Sequence, residues 1–229
     1  MAARRENTKK YWVLALASVA SCMVAFDSLV VTTALSTIRH DFDASMETLE
    51  WTINAYNLSF AVLLLTGATL GERYGRLRMF VVGVGLFGAA SAACGLAPTV
   101  GWLIAGRVVQ GAGAALIMPL AMALLSIAIP REERAKALGL FSGITGLALI
   151  AGPIVGGAIA EGAAWQWIFW INVPIALLVI PLCMRRIDES FGARVAPDVC
   201  GLPLITPGVL GLVWGLMRGN HIGWASVEV

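Results

Sequence analysis

The 229-residue chain is 59% hydrophobic and only 13% charged, where a water-soluble domain carries roughly a quarter charged residues, and its mean hydropathy is +0.82. So little polar surface excludes a globular protein facing water on all sides, and a net charge of +2 provides no basic face of the kind nucleic acid requires. The cysteines, Cys22, Cys94, Cys183 and Cys200, fall in or beside apolar runs with no CxxC pair. They indicate neither a disulfide framework nor a zinc site and read as small buried hydrophobes.

Residues 1–11 carry Arg4, Arg5, Lys9 and Lys10 ahead of an apolar run, the arrangement of a signal peptide. Val19-Ala20-Ser21-Cys22 even has the look of a lipoprotein cleavage site. The apolar character nevertheless resumes past Asp27 to Leu35, so this segment reads as a retained first span over 12–35. Further apolar segments follow at 51–70, 79–97, 102–127, 136–160 and 167–184, then, after a linker at 185–200, at 201–217, leaving 218–229 as a final loop. Each is long enough, at about 1.5 Å of rise per residue, to cross or nearly cross a hydrocarbon core of about 30 Å. The runs are continuous rather than alternating, which excludes a barrel and predicts an all-α integral membrane protein.

Charge sets the threading. With the N-terminus inside, cytoplasmic segments hold Arg4, Arg5, Lys9, Lys10, Arg73, Arg76, Arg78, Arg131, Arg134, Lys136, Arg185, Arg186 and Arg194, thirteen of the 16 basic residues. The outer loops hold only Arg39 and Arg218, and the first of them is acidic, with Asp41, Asp43, Glu47 and Glu50. Short loops rich in Lys and Arg stay cytoplasmic. The densest is Gly71 to Phe80, reading GERYGRLRMF, a turn at the membrane face bracketed by Gly71 and Gly75. The histidines, His40 and His221, fall in outer loops, and no Ser/His or paired-carboxylate site falls at one depth, so an intramembrane enzyme is disfavoured.

One basic residue, Arg107, lies inside the fourth span, and its deeply placed acidic counterpart is Asp27 in the first. An ionisable side chain at such depth normally faces a cavity or a partner. The two lie at roughly 13 and 8 Å from the outer face, close enough to meet. A structural ion pair and a functional site are both compatible with that placement. Gln110, Gly111 and Ala114 share the face of Arg107, as suits a helix that lines a polar cavity and lets a neighbour approach closely. In the fifth span Ala148, Gly152, Gly156 and Ala160 recur every fourth residue, a ridge for tight helix contact, and Pro153 favours a kink.

Together these stretches resemble the major facilitator superfamily of secondary transporters, and within it the fourteen-span drug:proton antiporters. ATLGERYGRLR resembles the family's loop signature between helices two and three, with Glu72 in place of its Asp and Ala68 in place of its first Gly. LIAGRVVQGAGAA is similar to the R-x-x-Q-G-x-G-A-A signature of helix four at Arg107, Gln110, Gly111, Gly113 and Ala114. ALIAGPIVGG resembles the antiporter signature of helix five at Gly152, Pro153, Gly156 and Gly157, with Ala148 replacing its first Gly. FDSLVVTTALSTI is similar to the helix-one signature, although Leu29, Thr32 and Ser36 depart from it. WQWIFWINVPIAL resembles the segment entering helix six, with Gln166 in place of Arg.

The resemblance implies a six-helix N-terminal bundle of the major facilitator fold plus a seventh transmembrane helix, in the plasma membrane, with the missing C-terminal half or a second subunit as partner. It implies proton-driven alternating access that exports a drug-like or amphipathic small molecule, with no cofactor beyond the proton gradient. Asp27 would bind the proton or a cationic substrate group with Arg107 and Gln110 beside it. The carboxylate would stay ionised while paired and take a proton when the pair opens in a dry cavity. Gly71, Glu72, Arg73, Gly75, Arg76 and Arg78 would latch the cytoplasmic face against a helix of the missing half. A non-transporting half-bundle that assembles with or regulates another membrane subunit is the alternative. In a cysteine-accessibility scan, Arg76→Cys is expected to label only from the cytoplasm and Glu47→Cys only from outside; the reverse pattern overturns the orientation.

Overall fold

A computed structural model describes residues 2–162, 164–192, 207, 208, 211 and 215. The linker from 193 to 200, the seventh segment at 201–217 apart from those isolated positions, and the final loop at 218–229 lie outside the described residues. Within them the chain is helical: α1 (Ala2–Thr33), α2 (Leu35–Phe42), α3 (Met46–Tyr74), α4 (Arg76–Gly95), α5 (Val100–Ala128), α6 (Arg134–Gly162), α7 (Trp167–Trp170) and α8 (Asn172–Arg186). Six stretches are long and apolar enough to cross a membrane: Lys9–Thr33, Met46–Tyr74, Arg76–Gly95, Val100–Ala128, Arg134–Ile159 and Trp167–Arg186. Each of the first six predicted segments lies on one of them.

The differences sit at helix ends. The first span breaks at Ala34, and Leu35 already belongs to α2, a short helix that carries His40 where an outer loop was expected. Asp43 closes α2 in the left-handed conformation at φ 47°. Ser45 then opens α3 by accepting a hydrogen bond from the Thr48 amide at 3.2 Å, which draws Glu47 and Glu50 into that helix. Helix α3 also runs past the predicted end at 70 to Tyr74. Gly71 is therefore helical, packed on Leu120, and the turn is made by Gly75 alone at φ +108°, a conformation open to glycine. Helix α6 continues unbroken through Pro153. Of the cysteines, Cys94 and Cys183 are buried and Cys22 is half-buried.

Helix α5 packs against α3 and α4, touches α1, and α1 in turn carries α6; α8 lies against α4 and α1. Glycine sets the closest approaches. A Cβ on Gly111 would run into the Tyr56 carbonyl oxygen of α3, and one on Gly113 would lie 2.8 Å from the Phe87 amide of α4. The predicted ridge of α6 faces α1, with Gly152 against Leu29 and Gly156 against Thr33, whereas Gly157 meets nothing within 4 Å.

Two apolar clusters form the core. One gathers Leu16, Val24, Phe87, Ala114, Leu120 and Ala176, the other Val30, Cys94, Leu103, Trp165 and Phe169. On α1, α4, α5 and the α7–α8 stretch the chain passes from one cluster to the other. The buried Asp27, Ser91, Arg107, Gln110 and Asn172 fall at those crossings.

The basic helix ends gather on one side. Lys9 pairs with Asp188 at 2.6 Å and Lys10 with Glu133 at 3.6 Å. Residues 187–192 fold back onto the turn at Gly75. The Glu189 carboxylate accepts from the amides of Leu77 at 2.9 Å and Arg78 at 3.0 Å, satisfying free donors at the positive end of α4. A Cβ at position 75 would lie 2.7 Å from the Glu189 carboxyl carbon. Gly75→Ala is expected to destabilise the bundle by about 1–3 kcal/mol through backbone strain, and Glu189→Ala by about 1 kcal/mol through loss of the cap. Thermal unfolding in mild detergent measures both.

Candidate functional site

An arginine and an aspartate lie buried together inside the bundle. Arg107 is 1% exposed and Asp27 is not exposed at all. An isolated charge there would be prohibitive, so each must be paired and hydrogen-bonded. Arg107 Nη1 donates to Asp27 Oδ2 and, at 2.9 Å, to Gln110 Oε1, while its Nε donates to the Thr52 carbonyl at 3.1 Å. The guanidinium also lies over the Tyr56 ring, 4.2 Å from its centroid, and 6.0 Å from that of Phe169, within reach of cation–π attraction.

The second carboxylate oxygen is served from two other helices. Asp27 Oδ1 accepts from Gln110 Nε2 at 3.1 Å and from Asn172 Nδ2 at 3.0 Å. Both amides also donate to the Ser91 hydroxyl, at 2.7 and 3.2 Å. The Cys94 thiol reaches Gln110 Oε1 at 3.6 Å, a weak donor completing the amide's surroundings. Asp27 thus meets cation and amide donors from α5 and α8, with α3 and α4 as the surrounding wall.

The predicted trio of Asp27, Arg107 and Gln110 comes together. The expected latch residues and antiporter helix lie elsewhere, at the basic end and on the α1–α6 seam. Glu72 and Arg76 form a bidentate pair, Nε to Oε1 and Nη2 to Oε2 both at 2.6 Å. Arg73 is exposed and lies over Tyr74, and Arg78 is 3.7 Å from Glu189. A helix of another half was expected to hold this turn. Within the described residues the chain's own later segment also lies on it, the Arg76 amide donating to the Ser190 carbonyl at 2.9 Å and the Gly192 amide to the Glu72 carbonyl at 3.1 Å.

Sequence reading missed Thr52, Tyr56, Ser91 and Asn172. Asn172 carried a usable signal, an amide inside an otherwise apolar span. Ser91 among alanines and Tyr56 near a span end carried none.

These features define a multi-pass helical membrane protein whose bundle encloses one buried ionic site. The chain belongs to the major facilitator superfamily, whose family model matches residues 17–226. It is 36% identical over 220 residues to the tetracenomycin C resistance and export protein of Streptomyces glaucescens, covering 95% of this chain and 41% of that protein. It is 37% identical over 210 residues to the methylenomycin A resistance protein of Streptomyces coelicolor, covering 90% and 44%, and 36% identical to the multidrug resistance protein Stp of Mycobacterium tuberculosis, covering 90% and 39%. The chain thus spans about two-fifths of the length of these relatives. Among solved structures, a double-tryptophan mutant of XylE superposes with a TM-score of 0.70 at 15% identity, over 93% of this chain and 54% of that one. A peptide transporter, POT, superposes with 0.71 at 13% identity, over 96% and 47%. At those identities the likeness is one of fold.

Removing one member of a buried pair strands the other. Arg107→Met is expected to destabilise the bundle by about 3–5 kcal/mol, and the double change Asp27→Leu with Arg107→Met to recover most of that loss. Unfolding of Arg107→Met and of the double variant in one detergent checks it.

Proposed function

We propose that this chain forms the first six-helix bundle of a proton-coupled exporter of drug-like or amphipathic compounds, of the fourteen-span antiporter kind, working by alternating access in the plasma membrane with its N-terminus in the cytoplasm. The observation that carries the reading is the buried Arg107–Asp27 pair, held by Gln110 and Asn172. A carboxylate in a water-excluded site keeps its charge only while its cation is near; when the pair separates, the neutral acid is favoured. Such an acid takes up a proton on one side of the membrane and yields it when Arg107 returns. The drug-resistance names of the relatives support export as the direction. The remainder of the transporter supplies the second bundle and the far wall of the substrate cavity.

The α3–α4 turn fits the role of a conformational latch. Its Glu72–Arg76 pair and the Glu189 cap are electrostatic contacts at the face that must open and close, and Gly152 and Gly156 let α6 lie close along α1. The basic helix ends on the same side support a cytoplasmic placement of that face.

The deciding measurement is efflux against pH, in the complete transporter, for Asp27→Asn and Arg107→Ala at matched protein levels. Asp27→Asn retains size and hydrogen bonding but not the change of charge, so proton-driven efflux is expected to fall at least tenfold while a neutral substrate still binds. Arg107→Ala is expected to move the pH profile, since the carboxylate loses its cation. Unchanged coupling in Asp27→Asn overturns the proton-site assignment.

A further inference from the structure

Among the described residues, every hydrogen-bond partner of the Asp27 carboxylate is a donor. Arg107 Nη1, Gln110 Nε2 and Asn172 Nδ2 are all donors, an arrangement matched to the ionised group. A protonated Asp27 has the opposite need, an acceptor for its own O–H. The two amides differ in what they have to offer. Gln110 is engaged at both ends, with Oε1 taking Arg107 Nη1 at 2.9 Å and the Cys94 thiol at 3.6 Å. Asn172 is engaged at one end. Its Nδ2 serves Asp27 and Ser91, while its Oδ1 is buried with no hydrogen-bond partner among the described residues, and the residue is not exposed. A buried carbonyl so placed is uncommon enough to require a reason.

Rotation of the Asn172 amide by about 180° about its Cβ–Cγ bond exchanges donor and acceptor without moving the backbone. The carbonyl oxygen then occupies the place of Nδ2, 3.0 Å from Asp27 Oδ1 and 3.2 Å from Ser91 Oγ. In that position it accepts the O–H of a protonated Asp27. The Ser91 hydroxyl, an acceptor before the rotation, turns to donate.

We propose that Asn172 is a positioning residue for the coupled proton, steadying the Asp27 carboxylate through Nδ2 and, after its amide turns, receiving the acid's O–H through Oδ1. This rests on the reading of Asp27 as the proton site. The proton comes from water at the open side and bonds to Asp27 Oδ1, giving a neutral carboxylic acid; on the other side it returns to water and the amide turns back. Arg107 remains protonated throughout. The other charged or titratable groups facing Asp27 are Arg107 on α5, Tyr56 on α3 and Cys94 on α4. Arg107 has no acceptor to offer, and the Cys94 sulfur is turned to Gln110 and the Leu103 carbonyl.

The test is infrared difference spectroscopy between high and low pH on the complete transporter in liposomes, together with efflux against pH. The wild type is expected to show a protonated-carboxyl stretch that Asp27→Asn removes. Asn172→Leu, similar in size without donor or acceptor, is expected to move that band to higher frequency and to displace the pH profile. Asn172→Ser, whose hydroxyl both donates and accepts, is expected to stay nearer the wild type. If Asn172→Leu does not accumulate, Asn172→Ala takes its place with the same expected shift. A band unmoved in the apolar variants overturns the role of Asn172 and leaves Asp27 as the proton site. Absence of any band that Asp27→Asn removes overturns the proton site, and the role of Asn172 with it.

Discussion

The bundle is arranged around one electrostatic obligation, the pairing of Arg107 with Asp27 where no water reaches either. Burying a carboxylate and a guanidinium together demands good geometry at every remaining lone pair and N–H. That demand reaches five helices: α1 and α5 supply the charges, α4 the Ser91 hydroxyl and α8 the Asn172 amide, while α3 adds the Thr52 carbonyl and the Tyr56 ring. The apolar clusters above and below this layer fix the helices along the membrane normal but leave their rotation loosely specified. The polar layer specifies it, since turning α5 or α8 by one residue would remove a donor from the carboxylate, and turning α3 or α4 would remove an acceptor from the guanidinium or the two amides.

Close helix contact is the second half of that arrangement. Arg107 reaches Thr52 and Tyr56 because α5 comes against α3 at Gly111, where a side chain would strike the Tyr56 carbonyl. Gly113 does the same toward α4 and brings Gln110 within reach of Ser91. The glycines and the charges of α5 therefore belong to one device: small residues on two faces draw the neighbours in, and the polar stripe meets what they carry.

Much of this was legible in the residues. Continuous apolar runs between basic loops specified helices and their number within the described region, because lipid leaves the backbone no other way to satisfy itself. An arginine and an aspartate at compatible depths specified the centre of the site, because nothing else in the hydrocarbon region could neutralise either. Helix ends were less legible. The start of α3 and the place of Gly71 were misread because termini depend on caps such as Ser45 and on tertiary packing against Leu120, neither of which has an apolar signature. Ser91 and Tyr56 were invisible for a related reason. A serine or tyrosine in a span is common, and only the three-dimensional neighbourhood separates one that meets a charge from one that does not. The contact of Glu189 with the α3–α4 turn was not legible because the two lie far apart along the chain, and loop signatures say nothing about distant contacts.

The sequence distance between the two charges bears on how the protein is made. Asp27 and Arg107 are 80 residues apart, and Asn172 is 145 residues beyond Asp27. At a synthesis rate of roughly 5–20 residues per second, the cation emerges on the order of ten seconds after the acid. The first helix therefore enters the bilayer with its aspartate unaccompanied, against an insertion penalty of roughly 2.5–3.5 kcal/mol near the centre of a span. The flanking Val24, Phe26, Leu29, Val30 and Val31 counter it, at roughly 0.3–0.6 kcal/mol for each such residue. The apolar residues of α1 that later line the core thus serve first at its birth, when the acid has only the translocon, lipid and water for company.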